Sequence, residues 1–280
     1  MSHAFDKDRS LYLFRQQSIL YHKLRSWFYE NGYQEVYTPA LVISPALEEH
    51  LETISVDNYF LHTSPEFGMK KLLALGMLRI YQITSCYRKE ELGVHHSTEF
   101  RMLEWYRAGA SMWDIMNETV ELISTLFLSV NKEIPQFEKI STTTLLPPSL
   151  NPDEWFFRWV DEIEPNLPSA CIIYDYPAWQ SALARKRGQL AARFEVYLNG
   201  VELANAFDEE GDAQEIRARW EQANQTRENL GRPPHPIDEE FLTALSSMPR
   251  CSGIALGIDR LFMLLLGEEN IHCLQHPNLQ

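Results

Sequence analysis

The dipeptide Asn199-Gly200 places the strongest constraint on the fold, because it predicts a type I′ turn between two strands. The segments 193–198 and 201–207 that flank it are rich in aromatic and branched apolar residues, as strands are. Such a turn pairs the two strands as an antiparallel hairpin. Other candidate strands are also joined locally rather than through helical crossovers. The sequence therefore predicts an α+β fold with a central antiparallel sheet flanked by helices.

Periodicity and capping signals place the remaining elements. We expect helices over 10–30, 64–76, 112–130 and 212–230, a final helix after residue 259, and strands over 35–38, 79–84, 85–89, 99–106, 171–174 and 253–259. Prolines interrupt residues 131–170 repeatedly, which predicts a variable surface connection with one short helix near Trp155. We expect a single domain over residues 1–280.

Composition narrows the class of protein. The net charge is −14 over 280 residues, which argues against a general nucleic-acid-binding protein. The densest basic stretch, Arg185-Lys186-Arg187, is interpreted as a solvated loop or helix end. The longest apolar run near the C-terminus, residues 261–266, is too short to span a bilayer, and the polar N-terminus does not resemble a signal peptide. We therefore expect a cytoplasmic protein that does not bind a membrane.

Four cysteines, Cys86, Cys171, Cys251 and Cys273, have spacings that fit neither a zinc site nor a CxxC motif. We expect buried free thiols in a reducing compartment.

The first candidate site segment is Cys86-Tyr87-Arg88-Lys89-Glu90, followed by a polar loop and by His96-Ser97-Thr98-Glu99-Phe100. The guanidinium group of Arg88 can bind a phosphate and a carboxylate, Glu90 can accept from an adenine amino group, and the Phe100 ring can stack on adenine. An Arg-x-Glu pattern is common in structural ion pairs, so this segment alone does not indicate function.

The second segment is Gly253-Ile254-Ala255-Leu256-Gly257-Ile258-Asp259-Arg260, which leads into an apolar helix. Small residues at the end of a strand let a ligand approach the backbone, and Arg260 could bind phosphates. Tight internal packing is the alternative interpretation of the same residues.

The third segment is the hairpin itself, which carries Glu195 and Glu202. Counting from the turn, Tyr197 faces Glu202, and Glu195 lies on the same face by alternation. The two carboxylates could converge on one Mg²⁺ ion, or they could be solvated on an exposed face. Three later residues, Asn205, Phe207 and Glu209, are out of phase with Glu202. If all point into one site, we predict a β-bulge between them, at Ala204.

Together these segments resemble the class II aminoacyl-tRNA synthetases, in which the first corresponds to motif 2 and the second to motif 3. Within that class the chain resembles lysyl-tRNA synthetases and the stand-alone ligases that attach a lysine-type residue to elongation factor P. The stretches that carry this closer resemblance are Thr63-Ser64-Pro65-Glu66, Met102-Leu103-Glu104-Trp105-Tyr106 and Glu202-Leu203-Ala204-Asn205-Ala206-Phe207. The resemblance spans residues 10–267 and implies a class II catalytic core.

The resemblance also implies roles for particular residues. Catalysis falls to Arg88, which meets the α-phosphate and the substrate carboxylate, and to Arg260, which meets the terminal phosphates. The residues implied to bind ATP are Arg88, Glu90, His96, Phe100, Glu195, Glu202, Gly257 and Arg260, with Glu195 and Glu202 as Mg²⁺ ligands. The residues implied to bind the amino acid are Glu66, Glu104, Tyr106, Asn205, Phe207, Glu209 and Ala255.

The resemblance implies that Glu104 and Tyr106 match the positions that hold the side-chain ammonium of lysine in this family, and that Glu209 matches a further acid at the same place. Glu66 matches the position that meets the amino group near the substrate carboxylate. Alternation places Phe100, Met102, Glu104 and Tyr106 on one face of their strand. Ala255 stands where lysyl-tRNA synthetases have glycine, as in the elongation factor P ligases, whose preferred substrate is (R)-β-lysine.

The implied activity is ATP-dependent formation of an aminoacyl-adenylate and its transfer to a lysine of elongation factor P. Motif 1, resembled by residues 32–39, begins close to the N-terminus, so we expect no anticodon-binding domain and no tRNA substrate. Class II cores dimerise through motif 1, and Trp27 and Phe28 fit either a homodimer interface or an internal core. Departures from the family pattern stand at Lys89, Ser97-Thr98 and Ala206.

Two alternatives stay open at this point. One is a class II relative that forms an amide on a small molecule. The other is a non-catalytic paralogue that binds lysine and regulates a partner. The presence of Arg88, Glu195, Glu202 and Arg260 argues against the second, because such paralogues commonly lose phosphate-binding residues.

Overall fold

A computed structural model describes residues 7–45, 47–89 and 92–275 of the chain. Its helices are α1 (Lys7–Glu30), α2 (Glu66–Ala74), α3 (Met112–Ser129), α4 (Pro152–Arg158), α5 (Ala213–Asn229), α6 (Glu239–Leu245) and α7 (Ile258–Leu266). Its strands are β1 (Gln34–Glu35), β2 (Leu41–Val42), β3 (Ser55–Val56), β4 (Tyr59–Leu61), β5 (Arg79–Tyr87), β6 (Glu99–Ala108), β7 (Glu138–Ser141), β8 (Ala170–Tyr174), β9 (Lys186–Arg187), β10 (Leu190–Ala191), β11 (Arg193–Leu198), β12 (Val201–Asp208) and β13 (Cys251–Gly257).

Within those described ranges, eight strands form one sheet in the order β1-β5-β6-β13-β12-β11-β8-β7. The pairings from β5 through to β8 are antiparallel, whereas the outer strands β1 and β7 pair in parallel with their neighbours. The predicted α+β fold with a central antiparallel sheet is therefore confirmed, with a parallel strand added at each edge. Strand β13 lies in the middle and joins β6 to the hairpin of β11 and β12.

The two faces of this sheet have different roles, because side chains alternate along each strand. One face packs on α1, α3 and α7 and forms the main hydrophobic core. That core includes Leu103 and Trp105 of β6, and Ile254 and Leu256 of β13. The residues between them along the strands point to the opposite face. Helices α1, α3 and α7 thus fill one side, whereas the opposite face, on which α2 packs, also holds a cavity.

Trp27 and Phe28 of α1 lie in this core. Their exposed fractions are 5% and 0%, and Phe28 stacks on Tyr81 with ring centroids 4.3 Å apart. Of the two interpretations given above, internal core is the one the structure supports, and these residues do not form a dimer surface.

The connection over residues 131–170 is more ordered than its prolines predict. Its strand β7 pairs with β8 at the edge of the sheet, and α4 continues through a π-helical turn over Trp159–Ile163. The rings of Trp155 and Trp159 stack 5.0 Å apart and pack in a second hydrophobic cluster with Tyr176. The expected short helix near Trp155 is present, but this segment is packed against the sheet and is not only a surface connection.

Other boundaries also differ from the sequence prediction. The two strands expected over 79–84 and 85–89 are one continuous strand, β5, and the strand expected over 35–38 is limited to Gln34–Glu35. The small sheet of β2, β4 and β3 and the helix α6 were not predicted. The basic stretch near residue 186 lies in the exposed pairing of β9 with β10.

Three of the cysteines, Cys86, Cys171 and Cys251, are buried free thiols as expected, whereas Cys273 is exposed. No helix in the described part of the chain combines the length and apolar character needed to cross a bilayer.

Candidate active site

The site occupies the face of the sheet opposite the main core. The register aligns its residues in rows that run across neighbouring strands. One row is Glu104, Ala255, Asn205 and Glu195, and a second is Tyr106, Gly253, Phe207 and Arg193. Since β6, β13, β12 and β11 each contribute one residue to each row, side chains from distant parts of the sequence become neighbours. The predicted alignment of Glu104 and Tyr106 on one face is confirmed.

A β-bulge brings the acids of the hairpin into the same face. Tyr197 pairs with Glu202 as predicted, but Val196 pairs with Ala204, so one residue of β12 is left over between these pairs. That residue is Leu203, one position before the predicted bulge at Ala204. Without this extra residue in β12, Glu195 would face Ala204. With it, Glu195 faces Asn205, and Glu202 and Asn205 point to the same side.

These rows line one cavity with a volume of about 300 Å³. The predicted site residues that line it are Glu66, Arg88, His96, Phe100, Glu104, Tyr106, Glu195, Glu202, Asn205, Phe207, Glu209, Ala255, Gly257 and Arg260. The remaining predicted residue, Glu90, lies outside the described residues. The three segments singled out in the sequence are thus brought together.

Two arginines of the cavity are held in place by local contacts. The guanidinium carbon of Arg88 lies 5.3 Å from the centroid of the Phe100 ring, in cation–π geometry. Arg260 donates to the carbonyl oxygens of Glu202 (2.8 Å) and His95 (3.1 Å). Its Nη2 lies 2.7 Å from Nε2 of His96. Both guanidinium groups therefore face the cavity on fixed side chains, which is what phosphate binding requires.

The two hairpin carboxylates have different surroundings. Glu195 accepts hydrogen bonds from the hydroxyls of Tyr176 (2.5 Å) and Tyr197 (2.8 Å) and pairs with Arg193. Burial, and next the charge of Glu195, raise the pKa of the Glu202 carboxyl to about 7, although Arg260, Arg193 and Arg88 oppose the shift. Glu202 therefore lies where an additional cation would favour its ionised form.

Hard oxygen donors of this kind fit Mg²⁺. In the described ranges, no group of three or more His, Cys, Asp or Glu side chains could hold a metal ion on its own. Two carboxylates in a cavity that also contains two arginines suit an ion whose other ligands are phosphate oxygens and water. The donor set formed by Glu195 and Glu202 therefore fits the implied ion.

Another part of the cavity contains a group that we call the acidic cluster, which consists of Glu66, Glu104 and Glu209. Glu104 accepts from the hydroxyls of Ser64 (2.5 Å) and Tyr106 (3.0 Å). Burial, followed by the charge of Glu66, raises the pKa of the Glu104 carboxyl to about 8. Burial likewise raises the pKa of the Glu209 carboxyl to about 8, and Lys70 opposes that shift. A cation bound beside these carboxyls would favour their ionised forms, so the cluster suits a cationic ligand.

Comparisons with known proteins agree with this geometry. Residues 4–276 match the family of tRNA synthetases of class II (D, K and N). The chain is 36% identical over 316 residues to the elongation factor P–(R)-β-lysine ligase of Avibacterium paragallinarum, a match that covers 96% of each chain. It is 38% identical to the ligase of the same name from Proteus mirabilis, over 89% of each chain. It is 36% identical to that of Vibrio vulnificus, over 90% of this chain and 91% of the relative.

The chain belongs to the class II tRNA synthetase family, in the branch of the elongation factor P–(R)-β-lysine ligases. The segments that resemble motifs 2 and 3 lie in the β5–β6 hairpin, which carries Arg88 and Phe100, and in β13 with the start of α7. Asp259, at that start, accepts hydrogen bonds from the backbone (2.9 Å) and the side chain (2.8 Å) of Arg101. This contact ties motif 3 to motif 2.

Sequence reasoning missed several residues of this class II site. Lys70 lies four residues after Glu66 on α2, so an i,i+4 pair was the available signal. Arg193 lies on the same face as Glu195 by alternation, and that signal was also available. Tyr176 has no local signal, because it lies in the loop after β8 and reaches Glu195 only through tertiary packing. For Gly253 both ligand approach and tight packing were open, and a Cβ there would lie 2.2 Å from the Tyr106 ring, which supports tight packing.

Proposed function

We propose that this chain activates a lysine-type diamino acid with ATP and transfers it to a lysine side chain of elongation factor P. The observation that supports this proposal is a single cavity that is lined by Arg88 at the end of β5, by Arg260 of α7 and by the acidic cluster. The arginines suit a triphosphate and a carboxylate, and the acids suit ammonium groups. The curated relatives named above are ligases with the corresponding substrates in their names.

In the first step, the substrate carboxylate attacks the α-phosphorus of ATP, and the bond to pyrophosphate breaks. No general base is needed, because the carboxylate is already ionised. Arg88 stabilises the charge that develops at the reacting phosphorus, and Arg260 binds the leaving pyrophosphate. Phe100 offers a face to the adenine ring, and His96, which contacts Arg260, lies beside the phosphates. Glu195 and Glu202 would hold Mg²⁺, which supplies charge neutralisation to the phosphates when bound.

The acidic cluster determines which amino acid is positioned for that attack. Glu104, with Tyr106 beside it, binds the ammonium group of the substrate side chain, and Glu66 binds the other amino group. Asn205, Phe207 and Ala255 form the wall between them, since they lie in the same two rows of the sheet. The methyl group of Ala255 narrows this wall and favours (R)-β-lysine over α-lysine.

In the second step, the neutral ε-amine of a lysine on elongation factor P attacks the carbonyl carbon of the adenylate. An amide bond forms, the mixed anhydride breaks, and AMP leaves. The amine loses its proton as the amide forms. The products are the modified protein and AMP, so the overall reaction consumes one ATP and releases pyrophosphate.

Two assays on the full chain test the proposal. The first is ATP–pyrophosphate exchange with (R)-β-lysine, (S)-β-lysine and L-lysine, without any acceptor. The second is transfer of labelled amino acid to purified elongation factor P. We expect exchange with a lysine isomer and transfer to the protein. Arg260→Gln should abolish both activities, and Arg217→Gln is the matched control, because Arg217 contacts Glu239 on the surface, far from the cavity.

The outcomes separate the alternatives. Exchange without transfer to elongation factor P would instead support a ligase that acts on a small molecule. No exchange with any amino acid would support a non-catalytic lysine-binding protein.

A further inference from the structure

Lys70 is a charged side chain that the proposed reaction does not use. It lies on α2 with 1% of its surface exposed. Its Nζ is 2.6 Å from Oε1 of Glu66, pairs with the carboxylate of Glu209, and lies 5.9 Å from the centroid of the Tyr106 ring. A lysine buried this completely is costly unless its charge is compensated. This ammonium group therefore has a specific place beside the acidic cluster.

The surroundings keep Lys70 cationic. Burial alone lowers the pKa of a lysine, but Glu209 and Glu66 outweigh that effect and raise the pKa of Lys70 above its ordinary value. The same pairing engages Oε2 of Glu209, so this carboxylate faces Lys70 although the residue also lines the cavity. Glu104 has different partners, since its hydrogen bonds come from the neutral hydroxyls of Ser64 and Tyr106.

The charges of these groups can be counted. With a diamino acid bound and all three carboxyls ionised, Glu66, Glu104 and Glu209 contribute three negative charges, and Lys70 contributes one positive charge. The four groups together then leave two negative charges. A diamino acid whose carboxylate is bound by Arg88 presents two ammonium groups to the same place. Within this group of four residues, the numbers match only because Lys70 is present.

We propose that Lys70 is a specificity-determining residue, which acts as a resident cation and sets the net charge of the acidic cluster to match a substrate with two ammonium groups. This inference rests on the proposed function, since it assumes that the cluster binds the amino acid. It assigns Lys70 to positioning and charge balance, and it makes Glu209 the partner of Lys70 rather than the direct partner of the substrate.

A series of charge variants tests this assignment. The net charge of the four groups is two negative in the wild type, one negative in Glu209→Gln, three negative in Lys70→Met, and again two negative in the double variant Lys70→Met/Glu209→Gln. Binding of L-lysine and (R)-β-lysine would be measured by calorimetry on the full chain without elongation factor P. The comparison ligand is L-2-aminoheptanoic acid, in which a methyl group replaces the side-chain ammonium. ATP affinity and thermal unfolding serve as controls.

We expect the preference for lysine over 2-aminoheptanoic acid to follow the net charge. It should fall at least about tenfold in Glu209→Gln and return to within about threefold of the wild type in the double variant. Lys70→Met alone makes the cluster more negative, so it should not lower that preference, but it should lower the unfolding temperature because Glu66 and Glu209 lose their cation. If that variant does not fold, the double variant still decides the matter, since it leaves only Glu66 of the two carboxylates that Lys70 compensates. ATP affinity should be unchanged throughout.

Two results would overturn the inference alone. One is a double variant that remains as poor in lysine preference as Glu209→Gln, which would make Glu209 a direct ligand. The other is a series in which both ligands weaken together, which would make Lys70 purely structural. A wild-type protein that binds no amino acid at all would overturn the proposed function as well.

Discussion

Replacing Gly253 by alanine tests how closely β13 must approach Tyr106. The backbone of Gly253 is not in the left-handed region, so alanine is conformationally acceptable and the change probes only the added methyl group. That Cβ would lie 2.2 Å from both Cδ1 and Cε1 of Tyr106, where ordinary contacts begin at 3.4 Å. The ring would have to retreat by about 1 Å or more.

The ring has little room to do so. Tyr106 is 3% exposed and packs among Met69, Leu73 and Ile80. Overpacking of this kind costs about 1–3 kcal/mol. A displaced ring also moves the hydroxyl that donates to Glu104, and a hydrogen bond to a charged group is worth about 1.5–3 kcal/mol. Because the second loss concerns the amino-acid pocket, we expect the KM for the amino acid in ATP–pyrophosphate exchange to rise about 10- to 100-fold.

The assay pairs exchange kinetics with chemical denaturation. The KM for ATP should stay within about twofold of the wild-type value, and the free energy of unfolding should fall by about 1–3 kcal/mol. Gly211→Ala is the matched control, since a Cβ at Gly211 meets nothing within 4 Å. The reasoning would be refuted if Gly253→Ala left both the stability and the KM for the amino acid equal to those of Gly211→Ala.

Three further predictions concern other parts of the molecule. Since the pKa of Glu104 is raised from 4.5 to about 8, lysine binding should tighten more than about tenfold between pH 6 and pH 8 and release a proton at pH 7. The contribution of this group to the stability of the ligand-free protein is full below its unfolded pKa and is lost as the pH rises through about 8, so Tm should fall over that range. Calorimetry in buffers of different ionisation enthalpy checks both statements, and pH-independent binding would contradict them. Ala255→Gly should raise the exchange efficiency with L-lysine relative to (R)-β-lysine about tenfold or more, and an unchanged ratio would show that the methyl group does not select the isomer. Trp155→Ala should lower the free energy of unfolding by about 3–5 kcal/mol with little change in the urea m-value, because Trp155 is 1% exposed and stacked on Trp159; a loss below 1 kcal/mol would mean that this cluster does not support the fold.

Much of the site could be predicted because it depends on two strong local patterns. The Asn199-Gly200 turn has φ of 52° and 73° at its two residues, as a type I′ turn requires, and it fixes the hairpin register. Alternation along β6 then fixes which side Glu104 and Tyr106 face. Even the need for a bulge could be deduced from the phase of the polar residues, although its position at Leu203 could not. The alternation of polar residues shows that β12 contains one residue without a partner in β11, but it does not determine which residue that is.

The parts that could not be predicted depend on contacts between distant residues. Strands of two or three residues, such as β2 and β4, are too short to show any period. Strand β7 lies between Pro135 and several later prolines and is recognisable only from its partner β8. The role of Lys70 is hidden for a different reason, since a lysine on a helix is normally solvated. Only the packing of α2 against the sheet places the side chain of Lys70 in the interior.

The central position of β13 has a consequence for how the protein is made. Its partners β6 and β12 precede it by about 150 and about 50 residues along the chain, so the middle of the sheet closes through contacts of long sequence separation. During synthesis, chains fold from the N-terminus, and until β13 leaves the ribosome both partners present a bare edge that can pair with other molecules. Nascent or truncated chains that lack β13 should therefore depend on chaperones and aggregate readily, and catalytic competence should appear only once this strand has inserted.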